Sequence, residues 1–172
     1  MHRFILSCLL LFYGIVSFPQ TGKFNQTTFD SIAREEILTG YCTRDGLEKG
    51  VFTGYFKDEY QNYKPDTAAI NKLSGHLGDV STTIIMGTWC SDSREQVPRF
   101  FRILDAIHTP HGEITIICVN KKKLCRDIPL DEYALTKVPT FIFKRNSAEA
   151  GRIIETPSDS IEKDLLGIIS KK

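Results

Sequence analysis

The residues best suited to chemistry lie in one short segment, Trp89-Cys90-Ser91-Asp92-Ser93. Cys90 follows an apolar, β-branched run and precedes a long amphipathic stretch, so the thiol is predicted at a strand-to-helix junction. Backbone N–H groups converge at the first turn of a helix and stabilise a thiolate there. Ser93 lies one turn later, and we expect its hydroxyl to donate a hydrogen bond to the sulfur. Cys90 and Ser93 are therefore the candidate catalytic residues.

Two charged neighbours act on this thiol in opposite directions. A carboxylate at Asp92 disfavours ionisation of the thiol, whereas a guanidinium at Arg94 is expected to offset part of that effect. The sequence leaves the sign of the net effect open.

From residue 65 onward the sequence predicts the helices and strands that position Cys90. Asp66 is predicted to cap a helix that Gly78 ends, and Ser158 or Ser160 to cap the last helix. The pattern predicts strands at 82–86, 114–119, 141–143 and 151–154, a long helix from Cys90 to 107, and a short helix at 130–135. This order of helices and strands predicts an α/β fold with a mixed sheet, because the first crossover gives parallel strands and the last pair forms a hairpin.

Three landmarks in this order resemble the thioredoxin superfamily, and the exported bacterial thioredoxin-like proteins in particular. Trp89-Cys90 opens the first long helix after a core strand, and Pro98 stands where that family has a helix-kinking proline. Val138-Pro139-Thr140 precedes a strand and resembles the family's cis-proline loop. The resemblance implies a thioredoxin-like fold over residues 65–172, a mixed central sheet flanked by helices. It also implies substrate binding by Trp89, Val138, Pro139 and Thr140.

Two departures from that family change the expected chemistry. Ser93 occupies the position of the second, resolving cysteine, and the strand at 82–86 lacks the family's buried acidic residue. The resemblance then implies thiol–disulfide exchange through one nucleophilic cysteine, with an external thiol completing the reaction. A non-catalytic module that binds peptides in the cis-proline groove is the alternative, and a redox-inert structural domain is the third hypothesis.

The other cysteines have less specific interpretations. Cys118 lies in an apolar run and is expected to be a small core residue. Cys42 or Cys125 could resolve a mixed disulfide on Cys90, although a free or structurally paired thiol is the favoured interpretation of each. The cysteine spacings fit no zinc pattern, so neither a metal site nor a cofactor is predicted.

The N-terminus has the order of a secretory signal. A basic start precedes an apolar run from Phe4 to Phe18, which is short for a spanning helix. We therefore predict a signal peptide at 1–20, export to the bacterial periplasm, and no stable membrane insertion after cleavage. Secretion or N-terminal anchoring is less favoured.

Residues 21–64 are expected to form an extension packed on the domain. Phe29, Ile32 and Ile37 have helical spacing behind a capping Thr28, which predicts a helix. The alternation of aromatic and polar residues from Val51 to Tyr63 predicts an extended segment or a hairpin.

Charge and composition limit the partners. The formal net charge is +1 with 25% charged residues, and the basic residues are scattered, whereas nucleic-acid binding requires a concentrated basic face. The expected partners are therefore protein or low-molecular-weight thiols and disulfides.

Overall fold

The computed structural model of the chain describes residues 23–126 and 128–170, which are built around one six-stranded sheet. In space the strands follow the order β1-β2-β4-β3-β5-β6. Strands β3 and β4 are parallel, and every other neighbouring pair is antiparallel. The predicted mixed sheet is thereby confirmed. The strands are β1 (Gln26–Asp30), β2 (Glu35–Cys42), β3 (Val80–Met86), β4 (Ile114–Cys118), β5 (Thr140–Arg145) and β6 (Ala148–Ile154).

Helices cover one face of this sheet. They are α1 (Arg44–Leu47), α2 (Thr53–Asn62), α3 (Thr67–Leu73), α4 (Ser91–Ile107) and α5 (Ile161–Ile169). Side chains of α2 to α5 share one core with alternate residues of the strands, such as Ile84 and Ile116. The intervening strand residues, such as Ile85 and Ile117, face the opposite side, where Ile128 and Val138 from the long connection between β4 and β5 cover them.

Helix α4 is the element that carries the candidate site. It runs for 17 residues, and its apolar stripe is buried as the sequence predicted. Pro98 lies inside the helix, where its missing N–H group removes one backbone hydrogen bond, and the helix ends at His108 in a left-handed conformation. The buried stripe comprises Val97, Phe100, Phe101, Leu104 and Ile107.

The predicted helix after Thr28 is wrong, because these residues form the antiparallel hairpin β1–β2. The Asp30 carboxylate accepts hydrogen bonds from the N–H groups of Ile32 (2.7 Å) and Ala33 (3.0 Å), which closes a tight turn. Arg34 completes that turn with φ +59°. Phe29 and Ile32, the residues that suggested an apolar helix face, are exposed.

The segment after Val51 is helical, so the predicted extended segment is also wrong. Helix α2 buries Phe56, which is one turn beyond the buried Phe52. The helix packs against α4, where the Tyr60 hydroxyl donates a 2.6 Å hydrogen bond to Asp105. Aromatic residues four apart form one helix face, and that spacing accounts for the observed structure.

Smaller differences concern the ends of elements. Helix α3 is capped by Asp66 as predicted, but it ends at Leu73, before Gly75 with φ +80°. The short helix expected at 130–135 is a single 3₁₀ turn at Asp131–Tyr133. Ser160 caps α5.

The predicted signal peptide lies outside the described residues. Among the helices that are described, none has both the length and the apolar character needed to cross a membrane.

Candidate functional site

Cys90 follows strand β3 and lies immediately before the first residue of helix α4. It is the N-cap of α4, with φ −92° and ψ 127°, and its carbonyl accepts a hydrogen bond from Arg94 N–H at 3.0 Å. Its own N–H donates to the Gly87 carbonyl at 2.9 Å. The thiol is half-buried, so the first turn of the helix presents a partly accessible sulfur.

The loop before β5 lies directly against this sulfur. The Val138–Pro139 peptide bond is cis, and the Cys90 thiol donates a hydrogen bond to the Val138 carbonyl at 3.3 Å. The Pro139 carbonyl accepts from Glu155 N–H at 2.7 Å, and the Thr140 hydroxyl donates to the Lys137 carbonyl at 2.7 Å. The structure therefore brings the loop and Cys90 together, although 48 residues separate Val138 from Cys90.

Trp89 forms the wall next to the thiol. Its indole N–H donates to the Val119 carbonyl at 2.8 Å, and the Lys121 ammonium lies 4.2 Å from the ring centroid. Gly87 permits this position, because a Cβ atom there would lie 2.4 Å from Trp89 Cε2. This contact between Lys121 and Trp89 was not predicted from the sequence.

These features make the fold recognisable. A thiol begins the long helix after a central strand, and it faces a cis-proline loop that leads into the next strand of a mixed sheet. The fold is thioredoxin-like.

Comparisons with solved structures found several similar chains. The chain is similar to a protein of unknown function from Pseudomonas aeruginosa, at 16% identity and a TM-score of 0.54, over 72% of this chain and 87% of that one. It is also similar to a Schistosoma mansoni thioredoxin pre-protein (18% identity, 63% and 93% of the two chains, TM-score 0.38). A Fasciola hepatica thioredoxin is similar at 19% identity, over 58% of this chain and 86% of that one, with a TM-score of 0.37. No family model and no curated protein matches the chain.

Ser93 does not have the contact predicted for it. The side chain is fully buried, and its Oγ accepts a hydrogen bond from Gly87 N–H at 3.3 Å instead of donating one to Cys90. Because Ser93 lies in the first turn of α4, its side chain points back towards the end of β3. In this thioredoxin-like chain Ser93 therefore supports the loop that carries Trp89 and Cys90.

Arg94 also has different partners from those expected. Its guanidinium pairs with Glu35 of β2 at 2.7 Å, donates to the Thr88 carbonyl at 2.5 Å and lies over the Tyr55 ring at 5.3 Å. The ion pair and the hydrogen bond of Arg94 therefore go to residues other than Asp92.

Lys137 is a cation close enough to Asp92 to be affected by its charge. A hydrogen bond to Glu155 is the main reason that the pKa of Lys137 is raised, and the charge of Asp92 contributes less.

A buried hydrogen bond from strand β2 supports the residue before Trp89. Thr88 is fully buried, and its hydroxyl oxygen accepts from Leu38 N–H at 3.1 Å. Together with the ion pair between Glu35 and Arg94, this hydrogen bond makes strand β2 a support for the candidate site. Only the three-dimensional pairing reveals this role, since Thr88 and Leu38 are 50 residues apart.

A cleft of about 560 Å³ opens beside Cys90 between α2 and α4. Its walls carry both signs of charge, negative from Asp58, Glu59 and Glu95 and positive from Arg94 and Lys121. Tyr55 also lines the cleft, and burial raises the pKa of its phenol.

The remaining described cysteines lie at different depths. Cys42 and Cys118 are buried in the core beneath the helices. Cys125 is half-buried and packs against the same apolar cluster as Cys90, on the opposite side of the sheet. Within residues 23–126 and 128–170, no group of His, Cys, Asp or Glu side chains is arranged to hold a metal ion.

Proposed function

We propose that this thioredoxin-like chain carries out thiol–disulfide exchange through Cys90 alone. One arrangement carries the proposal: the half-buried Cys90 sulfur at the start of α4 lies 3.3 Å from the Val138 carbonyl, with a buried serine where a second thiol would stand. The substrates would be disulfides of proteins or of small thiols.

In the first step, the Cys90 thiolate attacks one sulfur of a disulfide R–S–S–R′. A bond forms between Cys90 and the R sulfur, the original S–S bond breaks, and R′–S⁻ leaves and takes up a proton. In the resting protein the Val138 carbonyl accepts the thiol hydrogen, which holds the sulfur at the loop. The free N–H groups in the first turn of α4 favour the negative charge as the proton leaves.

The second step needs a thiol from outside the chain. The Ser93 side chain is buried and its hydroxyl cannot replace sulfur as the attacking group. Cys42 and Cys118 are 4% and 0% exposed, on the far side of the sheet from the Cys90 contacts. An external thiolate R″–S⁻ would attack the mixed disulfide, release R–S–S–R″ and return Cys90 as thiolate.

The substrate surface would combine the loop and the cleft. The family resemblance implies that the backbone at Val138-Pro139 pairs with an extended substrate segment, and Trp89 would form the adjacent wall. The cleft between α2 and α4 would receive side chains beyond the disulfide. Its mixed charges favour polar substrate segments over purely apolar ones.

We also propose that the reaction takes place in an oxidising compartment outside the cytoplasm, most simply a bacterial periplasm. The basic start and apolar run of residues 1–20 support this location. N-terminal sequencing of the native protein would show a start at residues 18–22, and an intact Met1 would contradict it.

The decisive experiment measures the lifetime of a mixed disulfide on Cys90. The full chain is mixed with a small disulfide and then with a limiting external thiol, and the adduct is followed by mass spectrometry. We expect a long-lived adduct that Cys90→Ser abolishes and Cys125→Ser preserves. Cys125→Ser is the matched control, because both thiols are half-buried beside one apolar cluster.

A gain-of-function variant tests the role of position 93. Ser93→Cys would supply an internal thiol at high effective concentration, which should shorten the adduct lifetime and raise turnover in insulin reduction. A short-lived adduct in the parent that becomes long-lived in Cys125→Ser would instead identify a resolving thiol in the chain. Peptide capture that persists in Cys90→Ser would favour the binding-module hypothesis.

A further inference from the structure

Two thiols meet inside the core, away from Cys90. Strands β2 and β4 pair antiparallel with Gly40 opposite Cys118 and Cys42 opposite Ile116. Cys42 and Cys118 are therefore diagonal neighbours on one face of the sheet. Both belong to the core beneath the helices.

Gly40 lies beside both cysteines. It stands directly opposite Cys118 and carries no side chain, and its φ of +81° is a conformation that glycine adopts readily. The Cys42 thiol lies over it, donating to the Gly40 carbonyl at 3.5 Å. The Cys42 side chain is also close enough to Cys118 to raise the pKa of the Cys118 thiol.

We propose that Cys42 and Cys118 are a redox pair of their own, joined as an interstrand disulfide when the chain folds in the presence of a small-molecule disulfide. One thiolate of the pair attacks the oxidant R–S–S–R, forming a mixed disulfide and releasing one R–SH. The other thiolate attacks that mixed disulfide, forming the Cys42–Cys118 bond and releasing the second R–SH. Two electrons and two protons pass from the pair to the oxidant.

Burial limits this reaction to the period before the core closes. Cys118 is fully buried and Cys42 is 4% exposed, so an oxidant cannot reach either sulfur in the folded chain. Contact with Cys42 and burial raise the pKa of Cys118 well above its usual value, which further lowers the thiolate fraction in the folded state. The same burial protects the disulfide from reductants after folding.

The disulfide would stabilise strand β2, which supports the candidate site. Strand β2 supports Thr88 through Leu38 and holds Arg94 through Glu35. A disulfide from Cys42 to β4 would keep this strand in register. The pair is thus separate from the exchange chemistry proposed at Cys90.

Peptide mapping tests the proposal on the full chain. The protein is unfolded, refolded in a mixture of oxidised and reduced glutathione, alkylated and digested with trypsin. Each described cysteine falls on a different tryptic peptide, spanning residues 35–44, 73–94, 103–121 and 124–126. We expect peptides 35–44 and 103–121 to be linked in most of the refolded protein, and in Cys90→Ser to the same extent.

Thermal unfolding gives a second, independent readout. Because the link would join residues 76 positions apart, the oxidised chain should have a Tm roughly 10 °C above that of the chain refolded under reducing conditions. Cys42→Ala should remove this difference, and Cys125→Ala should retain it. Free, alkylated Cys42 and Cys118 after oxidative refolding, or their linkage to other cysteines, would overturn the proposal.

Discussion

Gly87→Ala should displace Trp89 from the wall of the candidate site. The added Cβ would lie 2.4 Å from Trp89 Cε2 and 2.6 Å from Nε1, whereas ordinary contacts begin at 3.4 Å. The ring must therefore move by about 1 Å. That movement strains the 2.8 Å hydrogen bond from the indole to Val119 and shifts the ring from beneath Lys121.

The cost follows from those two effects. Overpacking of this kind lowers the free energy of unfolding by about 2 kcal/mol. The lost hydrogen bond lowers it by about 1 kcal/mol more. A total of about 3 kcal/mol corresponds to a fall in Tm of roughly 6 to 12 °C for a chain of this size. Trp89 is the only tryptophan in the sequence, so its fluorescence reports the ring alone, and the emission should shift to longer wavelength.

Gly54→Ala is the matched control. A Cβ at Gly54 meets no atom within 4 Å, and Gly54 lies in helix α2, where alanine is favoured by roughly 0.5–1 kcal/mol. The control should keep the parent emission and unfold at the same or a slightly higher temperature. Parent-like emission and Tm in Gly87→Ala would refute the steric argument.

Two further predictions concern the supports of the site. Thr88→Val removes the acceptor of the buried Leu38 N–H, which should lower the free energy of unfolding by about 2 kcal/mol and the Tm by roughly 4–8 °C. Hydrogen exchange should accelerate at the Leu38 amide, and unchanged exchange there would contradict the expected loss of this hydrogen bond. The Asp30 carboxylate accepts from Lys121 N–H at 2.7 Å, and this bond is the main reason that the pKa of Asp30 is lowered. Its stabilising effect is present above the usual value of 3.8 and is lost as the pH falls through the lower folded value. The Lys121 amide signal in NMR should therefore titrate below pH 3.8, and in Asp30→Asn it should not titrate in that range.

The part of the chain from residue 65 onward could be predicted because its local patterns agree with its tertiary contacts. The apolar stripe of α4 is the buried stripe, and Asp66 caps α3 through the N–H groups of Ala68 and Ala69. The positions of Cys90 and of the Val138-Pro139 loop could be predicted from the motifs and their order.

The errors arise where side chains serve turns or distant partners. Phe29 and Ile32 have helical spacing, but the Asp30 carboxylate satisfies the backbone of a turn and both apolar side chains remain exposed. Arg94 has Asp92 nearby in sequence, yet its partner Glu35 is 59 residues away. No local pattern encodes that pairing, because it depends on where β2 enters the sheet.

The place of β2 in the sheet also imposes an order on biosynthesis. Tyr41 pairs with Ile117, which leaves the ribosome 76 residues later. At about 5–20 residues per second, β2 waits roughly 4 to 15 seconds for β4. During that interval Ile37 and Leu38, both buried in the finished protein, lack their final environment. A nascent chain stalled before residue 114 should therefore engage holding chaperones through this segment, and release should begin once β4 has emerged.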